Sequence, residues 1–224
     1  MKKILTISVA LILIAGIVSM AKSADIDTSD TSAATGYPKD RHIVQSSNGT
    51  IVVVYQRGVT VADRGIRAKK SADNGATWTK LDGTAGSTEI DSVATTRGFS
   101  ICIDPQDNIY VAYTSMPYVG NILFKKLTYS AGTATWEVGP ERTVASGANR
   151  YPSIIRQSNG RIWVAYSYEA PAGGRVMATY SDDGFQTTRD TDVSPPRIGV
   201  YDYYPVLTIR NCLLYTSDAA DEED

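Results

Sequence analysis

The chain has a single histidine, His42, in 224 residues. No His pair exists to hold a zinc ion, and no metal or other cofactor is expected. A Ser-His-Asp triad would have to use His42 itself, and no motif surrounds it. Two cysteines, Cys102 and Cys212, give no disulfide framework. Cys102 stands on an apolar stretch and reads as a buried small hydrophobe. A glycine-rich phosphate loop is missing, and so is any sustained helical period. An excess of one charge is missing too. The formal net charge is −2, and Asp218, Asp221, Glu222, Glu223 and Asp224 sit together at the C-terminus. Without those acids, and without Lys2, Lys3 and Lys22 near the start, the body is close to neutral. This balance gives no electrostatic footprint for nucleic acid or for a membrane surface.

What is present is β-rich and repetitive. Three segments align: Asn48-Gly49-Thr50-Ile51-Val52-Val53-Val54-Tyr55, Asp107-Asn108-Ile109-Tyr110-Val111-Ala112-Tyr113, and Asn159-Gly160-Arg161-Ile162-Trp163-Val164-Ala165-Tyr166. A β-rich run precedes each, over residues 41–46, 99–104 and 152–158. The Asn, Asp and Gly between the two runs are a hairpin signal. The second run is nearly continuous in Val, Ile, Tyr and Trp, so both of its faces are expected to be covered. A third run follows at 66–71, 122–129 and 176–181, then a turn and a fourth, outer strand. Residues 205–209 repeat the innermost run. A repeat of this length implies a radial array. The expected fold is all-β, a partial β-propeller of four-stranded antiparallel blades, with three blades and the start of a fourth.

The turn after the third run carries a second signature. Ser71-Ala72-Asp73-Asn74-Gly75-Ala76-Thr77-Trp78 reads S-x-D-x-G-x-T-W, an Asp box. Ser71 and Asp73 supply short polar side chains that bond within a tight turn. Gly75 supplies positive φ, and Trp78 is expected to cover the apolar joint between blades. A weaker copy stands at Ser181-Asp182-Asp183-Gly184-Phe185-Gln186-Thr187-Thr188, with Phe for Gly and Thr for Trp. In the second blade only Thr135-Trp136 keeps the pattern.

These boxes resemble the bacterial neuraminidase repeat and, with it, the sialidase-like propellers. The resemblance implies six blades, an acidic glycan as partner, and retaining exo-glycosidase activity through a Tyr nucleophile assisted by Glu. It also implies an arginine triad that grips the sugar carboxylate. Ten residues before Gly49, Asp107 and Gly160 stand Lys39, Arg97 and Arg150, with Tyr203 as the fourth-blade counterpart. A ring of cations at one mouth would hold a carboxylate by charge-assisted hydrogen bonds. The family's Arg-Ile-Pro motif is replaced here by Lys39-Asp40-Arg41, and Lys cannot make the bidentate fork. Arg41 is the substitute two residues on. Arg57 matches a substrate-binding position after the second strand, and Asp63 matches the acid/base region. Glu169 is a further acid near the same mouth. The nucleophile and last triad arginine belong to later blades. Tyr201, Tyr203 and Tyr204 are aromatic channel candidates. A non-catalytic glycan- or protein-binding propeller and a structural surface repeat remain the alternatives.

The ends read differently from the body. Lys2 and Lys3 precede an apolar run from Ile4 to Val18, and small residues follow. Residues 1–23 read as a secretory signal, which implies an exported protein, periplasmic or extracellular, with no membrane contact after cleavage. Residues 24–36, rich in Ser, Thr, Asp and Ala, read as a flexible leader. From about Cys212 the string resembles the in-frame translation of a transposon sequencing adapter, so 212–224 is set apart from 37–211 as a non-native tail. On that reading the chain is a fragment, and it lacks the blades needed to close the ring.

Overall fold

The structure is a computed structural model that describes residues 25–27, 34, 41–57, 65–92, 98–115, 120–170, 173–187, 189–191, 205–210 and 213–216. The signal reading of residues 1–23 lies outside them. Among the described residues no helix is long and apolar enough to cross a membrane. Among the described residues every regular element is a β-strand.

Blade 1 is a four-stranded antiparallel meander of β1 (Ile43–Gln45), β2 (Ile51–Arg57), β3 (Gly65–Ser71) and β4 (Thr88–Asp91). Blade 2 comprises β5 (Phe99–Ile103), β6 (Ile109–Thr114), β7 (Gly120–Ser130) and β8 (Thr135–Val138). A long strand, β9 (Arg142–Arg156), then passes from one blade to the next. Its first half pairs with β7 and its second half with β10 (Ile162–Ala170). Blades 2 and 3 are therefore one continuous sheet where the repeat alone predicts two. The change of partner falls at Asn149, opposite both Gly120 and Tyr168, two residues before Tyr151, whose φ is 55°. Blade 3 continues with β11 (Gly173–Ser181) and β12 (Arg189–Thr191). β13 (Leu207–Arg210) opens a fourth blade and pairs with β14 (Leu213–Thr216). The stretch resembling an adapter thus contributes the strand beside β13.

The three inner hairpins are alike. Gly49, Asp107 and Gly160 occupy one position and have φ of 87°, 62° and 96°. Each donates its amide to the residue three before it: Ser46, Asp104 and Gln157. Gly tolerates this left-handed backbone, and Asp is among the few side-chain residues that visit it. The Asp107 carboxylate has a further task. It accepts from Ser47 N at 2.8 Å and Ser47 Oγ at 2.5 Å, which ties the blade 2 hairpin to that of blade 1.

Neighbouring blades are joined along their inner strands. Ile154 N donates to Ser100 Oγ at 3.4 Å, and Leu207 N donates to Ser153 Oγ at 3.0 Å. Both contacts span 54 residues, so the same stitch recurs from blade 2 to 3 and from blade 3 to 4. Ile101 N reaches Arg41 O at 3.2 Å in the first joint. Apolar side chains fill each joint separately. Val54, Ile66 and Leu81 of blade 1 meet Ile101, Val111 and Trp136 of blade 2. Phe124 and Ile122 meet Ile154, Val164 and Phe185 in the second joint. Ile155, Ala165 and Ala178 meet Leu207 in the third. Burial of each Val, Leu, Ile or Phe among them stabilises by about 1.5–3 kcal/mol. The architecture is the expected partial propeller.

The Asp boxes lie at the hairpin end of the sheets. Ser71 Oγ donates to Asp73 Oδ1 at 2.7 Å and accepts from Gly75 N at 2.8 Å. Asp73 accepts from Thr77 N at 2.9 Å and Thr77 Oγ1 at 2.6 Å. Trp78 does not join the apolar cluster between blades 1 and 2. It is half-buried, with its Cζ2 beside Gly75 of its own turn. Leu81 and Trp136 fill that joint instead. The reason is directional: Trp136 in blade 2 and Phe185 in blade 3 each face the preceding blade, and the described chain has no blade preceding the first.

Candidate functional site

The Asp boxes and inner hairpins share one end of the sheets, and the sequence-predicted Arg57 and Arg150 lie toward the other. That end carries the start of each inner strand, the close of each second strand and the start of each third. Gly65 shows how tightly the chain packs there. A Cβ at this position would lie 2.2 Å from Asp91 O, at the irregular register between Ile66 and Arg67.

Arg150 lies at this end, on β9, opposite Ser167 where the register shifts beside Ala165. Its guanidinium carbon is 5.4 Å from the Tyr151 ring centroid. Tyr151 is 1% exposed and left-handed. A bulky residue in this backbone region is unusual and marks stored strain of about 1–3 kcal/mol. The counterpart of Tyr151 in blade 2 is Gly98, with φ of 88°. Both described entries into an inner strand thus take the same turn immediately after a cation position. Beside Arg150, Asn149 is 1% exposed, and its Nδ2 has no hydrogen-bond partner. No motif in the sequence marks it.

Arg41 is exposed and lines a different feature, an open cleft of 330 Å³ along the inner strands. Ile43, Ile101, Ile103 and Ile155 make its wall, and Arg156 is its second cation. Arg156 was not foreseen, because it ends an otherwise apolar run. Cys102 also lines this cleft. Burial pushes its thiol up to about 12, against the opposing pull of Arg41 and Arg156. It stays protonated at neutral pH and is no nucleophile.

Arg57 ends β2 opposite Gly65 and is half-buried. Its charge acts on the Tyr55 phenol. Neither Arg57 nor Arg150 lines the cleft of Arg41 and Arg156. Lys39, Asp63, Arg97, Tyr201, Tyr203 and Tyr204 lie outside the described residues, as does the side chain of Glu169. Among the described residues no group of three His, Cys, Asp or Glu is placed to hold a metal ion.

One cluster superficially resembles a Tyr–Glu nucleophile pair. Tyr113 OH lies 2.5 Å from Asp91 Oδ2 and 2.9 Å from Glu141 Oε2. Lys125 Nζ stands 3.5 Å from Asp91 and 3.8 Å from Glu141. Burial, then the bond to Asp91, raises the Tyr113 phenol far above its ordinary range. Tyr113 is fully buried. A nucleophile needs access and an accessible anion, and Tyr113 has neither. The cluster is a structural pin in the joint between blades 1 and 2.

No protein-family profile matches the chain, and no curated protein sequence does. Solved structures match it in fold. An ulvan lyase of polysaccharide lyase family PL25, bound to -[GlcA(1-4)Rha3S]-, superposes with a TM-score of 0.52 at 12% identity, over 71% of this chain and 44% of its own. A protein of unknown function from Dyadobacter fermentans gives 0.48 at 13%, over 74% and 52%. An α-L-arabinofuranosidase from Clostridium thermocellum gives 0.48 at 11%, over 79% and 59%. The chain spans about half the length of these structures. At such identities the likeness is one of fold, and the fold it supports is the β-propeller.

Proposed function

We propose that the protein is an exported propeller directed at carbohydrate, and that its ligand carries a carboxylate. The observation that carries this reading is Arg150. It stands at the strand-entry end, stacked on the left-handed Tyr151, at a position whose counterparts in the sequence are Lys39 and Arg97. Strain held at a strand entry beside a cation is the kind of feature that binding sites retain. The ulvan lyase of similar fold was solved with a saccharide bound, which is compatible with this use of the architecture. The finer assignment to a sialidase-like family rests on the Asp boxes, and sialic acid is the ligand that assignment favours.

Binding is the part of the proposal with a structural basis. Titration calorimetry with sialyl- and uronate-terminated oligosaccharides, beside neutral ones, tests the ligand class. Arg150→Ala is expected to weaken the carboxylated ligand about ten- to a hundredfold and to leave a neutral ligand unchanged, as loss of a charged hydrogen bond requires. Equal affinity in wild type and variant removes Arg150 from the site. Release of fluorophore from a sialoside would shift the reading from binder to enzyme.

A further inference from the structure

Three turns carry the dipeptide Asn-Gly: Asn48-Gly49, Asn74-Gly75 and Asn159-Gly160. In this dipeptide the glycine nitrogen can attack the preceding side-chain amide with little hindrance, because glycine has no Cβ. All three asparagines are exposed, so access of water does not separate them. Their hydrogen bonds do. Asn48 Oδ1 accepts from Ser46 Oγ at 2.6 Å and from Thr50 N at 3.0 Å, and Asn48 Nδ2 donates to Tyr129 OH of blade 2 at 3.1 Å. Gly49 N donates to Ser46 O at 2.9 Å. Asn159 Oδ1 accepts from Arg161 N at 3.0 Å, and Gly160 N donates to Gln157 O at 3.0 Å. In the first Asp box the Asn74 side-chain amide bonds to no described residue. Gly75 N is held by Ser71 Oγ at 2.8 Å. Of the three asparagines only Asn74 is left-handed, with φ of 57°. That conformation costs an L-residue energy, which opening of the turn releases.

We propose that Asn74 is a self-modification site, converted by its own backbone to aspartate and isoaspartate, and that Ser71 gates the reaction. Gly75 N gives its proton to a solvent base and attacks Asn74 Cγ. The N–Cγ bond forms, the Cγ–Nδ2 bond breaks, and Nδ2 leaves as ammonia with a proton taken from water. Water then opens the five-membered succinimide at either carbonyl. Cleavage of the new N–Cγ bond gives aspartate, and cleavage of the original peptide bond gives isoaspartate. Water is the one co-reactant, and nothing is oxidised or reduced. Before the attack the peptide between Asn74 and Gly75 has to rotate, which breaks the bond from Gly75 N to Ser71 Oγ. The same hydroxyl that shapes the box therefore protects it. An isoaspartyl link adds one main-chain atom between Asp73 and Thr77. The Asp73 carboxylate spans that stretch through Thr77 N at 2.9 Å and Thr77 Oγ1 at 2.6 Å, and a longer path slackens both bonds. The aspartyl product instead sets a second carboxylate next to that of Asp73. Blade 3 is immune, because its box has Gly184 and Phe185 at the positions of Asn74 and Gly75.

Peptide mapping by mass spectrometry tests the proposal on the folded 224-residue protein, incubated in mildly alkaline buffer. Replacement of a side-chain amide by a carboxyl marks each converted site, and fragmentation separates isoaspartate from aspartate. Asn74 is expected to convert fastest. Asn159 should be roughly two- to tenfold slower, since one more hydrogen bond holds its reacting groups, and Asn48 should be slowest of all. In concentrated urea the three should convert at a common rate, because no turn holds them. Ser71→Ala should speed Asn74 by roughly two- to tenfold and leave Asn159 unchanged, which also reports that blade 3 is still folded. Should that variant unfold, the wild-type ranking and its loss in urea remain a complete test. Equal rates in the folded protein, or Asn159 ahead of Asn74, overturn the proposal. The same ranking in urea overturns it too, because sequence neighbours would then set the order. So does a folded Ser71→Ala protein in which Asn74 converts no faster. None of these readouts involves glycan.

Discussion

The Asp boxes of blades 1 and 3 make an instructive pair. The first matches its consensus at every position, and the third departs at two. Their hydrogen bonds are nevertheless the same. Ser181 Oγ donates to Asp183 Oδ1 at 2.7 Å and accepts from Phe185 N at 2.8 Å. Asp183 accepts from Thr187 Oγ1 at 2.8 Å, as Asp73 accepts from Thr77. Ser, Asp and Thr are therefore sufficient for the turn. Gly is not required at its fifth position, where Phe185 has φ of 63° and Gly75 has 89°. The aromatic differs more. Phe185 is 3% exposed and lies 5.0 Å from Phe124 of blade 2, while Trp78 is only half-buried on its own turn. What decides burial is whether a neighbouring blade stands opposite.

The largest expected effect follows from that difference. Phe185→Ala opens a cavity in the joint between blades 2 and 3 and should cost about 3–5 kcal/mol. Trp78→Ala, on the blade with no described neighbour before it, should cost under about 1 kcal/mol in the same urea titration. Equal losses would show that Trp78 has a buried partner and would break the comparison. A glycine sharpens it. Phe185→Gly removes the same ring but relieves the left-handed backbone, so it should be about 1 kcal/mol less destabilising than Phe185→Ala. The opposite ranking would mean that the turn relaxes when the ring is gone.

The comparison also explains what the sequence could and could not disclose. The equivalence of Gly49, Asp107 and Gly160 was legible because a hairpin turn is a local property, and all three are left-handed. The boxes at Ser71 and Ser181 were legible for the same reason. The burial of Phe185, at the position of Gly75, was not, because it depends on Phe124, about 60 residues away in the preceding blade. At the candidate site Arg150 was found by counting along the repeat. Arg156 was hidden at the end of an apolar strand, and Asn149 carried no motif.

A smaller effect concerns pH. Hydrogen bonds from Thr77, then Ser71, lower the Asp73 carboxyl to about 2. Bonds from Ser181, then Thr187, do the same for Asp183, also to about 2. Both values lie below the ordinary 3.8. The folded turn thus favours the ionised form. Its contribution is complete above about pH 4 and is lost as pH falls from about 4 to about 2. Both turns should lose amide protection over that interval, and to the same extent, since both carboxylates are exposed and similarly bonded. Asp73→Asn and Asp183→Asn should each flatten the profile of their own turn only. A flat profile in the wild-type protein would remove the carboxylate from the energetics of the box.

The smallest effect is expected where blade 3 has something blade 1 lacks. Arg161 Nε lies 2.7 Å from Asp182 Oδ1, and its guanidinium carbon is 4.3 Å from the Tyr180 ring centroid. Blade 1 has Thr50 and Ala72 at the counterpart positions. The pair is bidentate and well aligned, yet it is held in solvent. Water and salt screen it, and ordering two side chains offsets what Coulomb attraction remains. Asp182→Ala should therefore leave the unfolding midpoint unchanged at physiological ionic strength, making blade 3 resemble blade 1 at no measurable cost. A clear loss that persists in high salt would mean that the ion pair compensates for the strained backbone at Phe185. The third box would then depend on a contact that the first achieves with Gly75 alone.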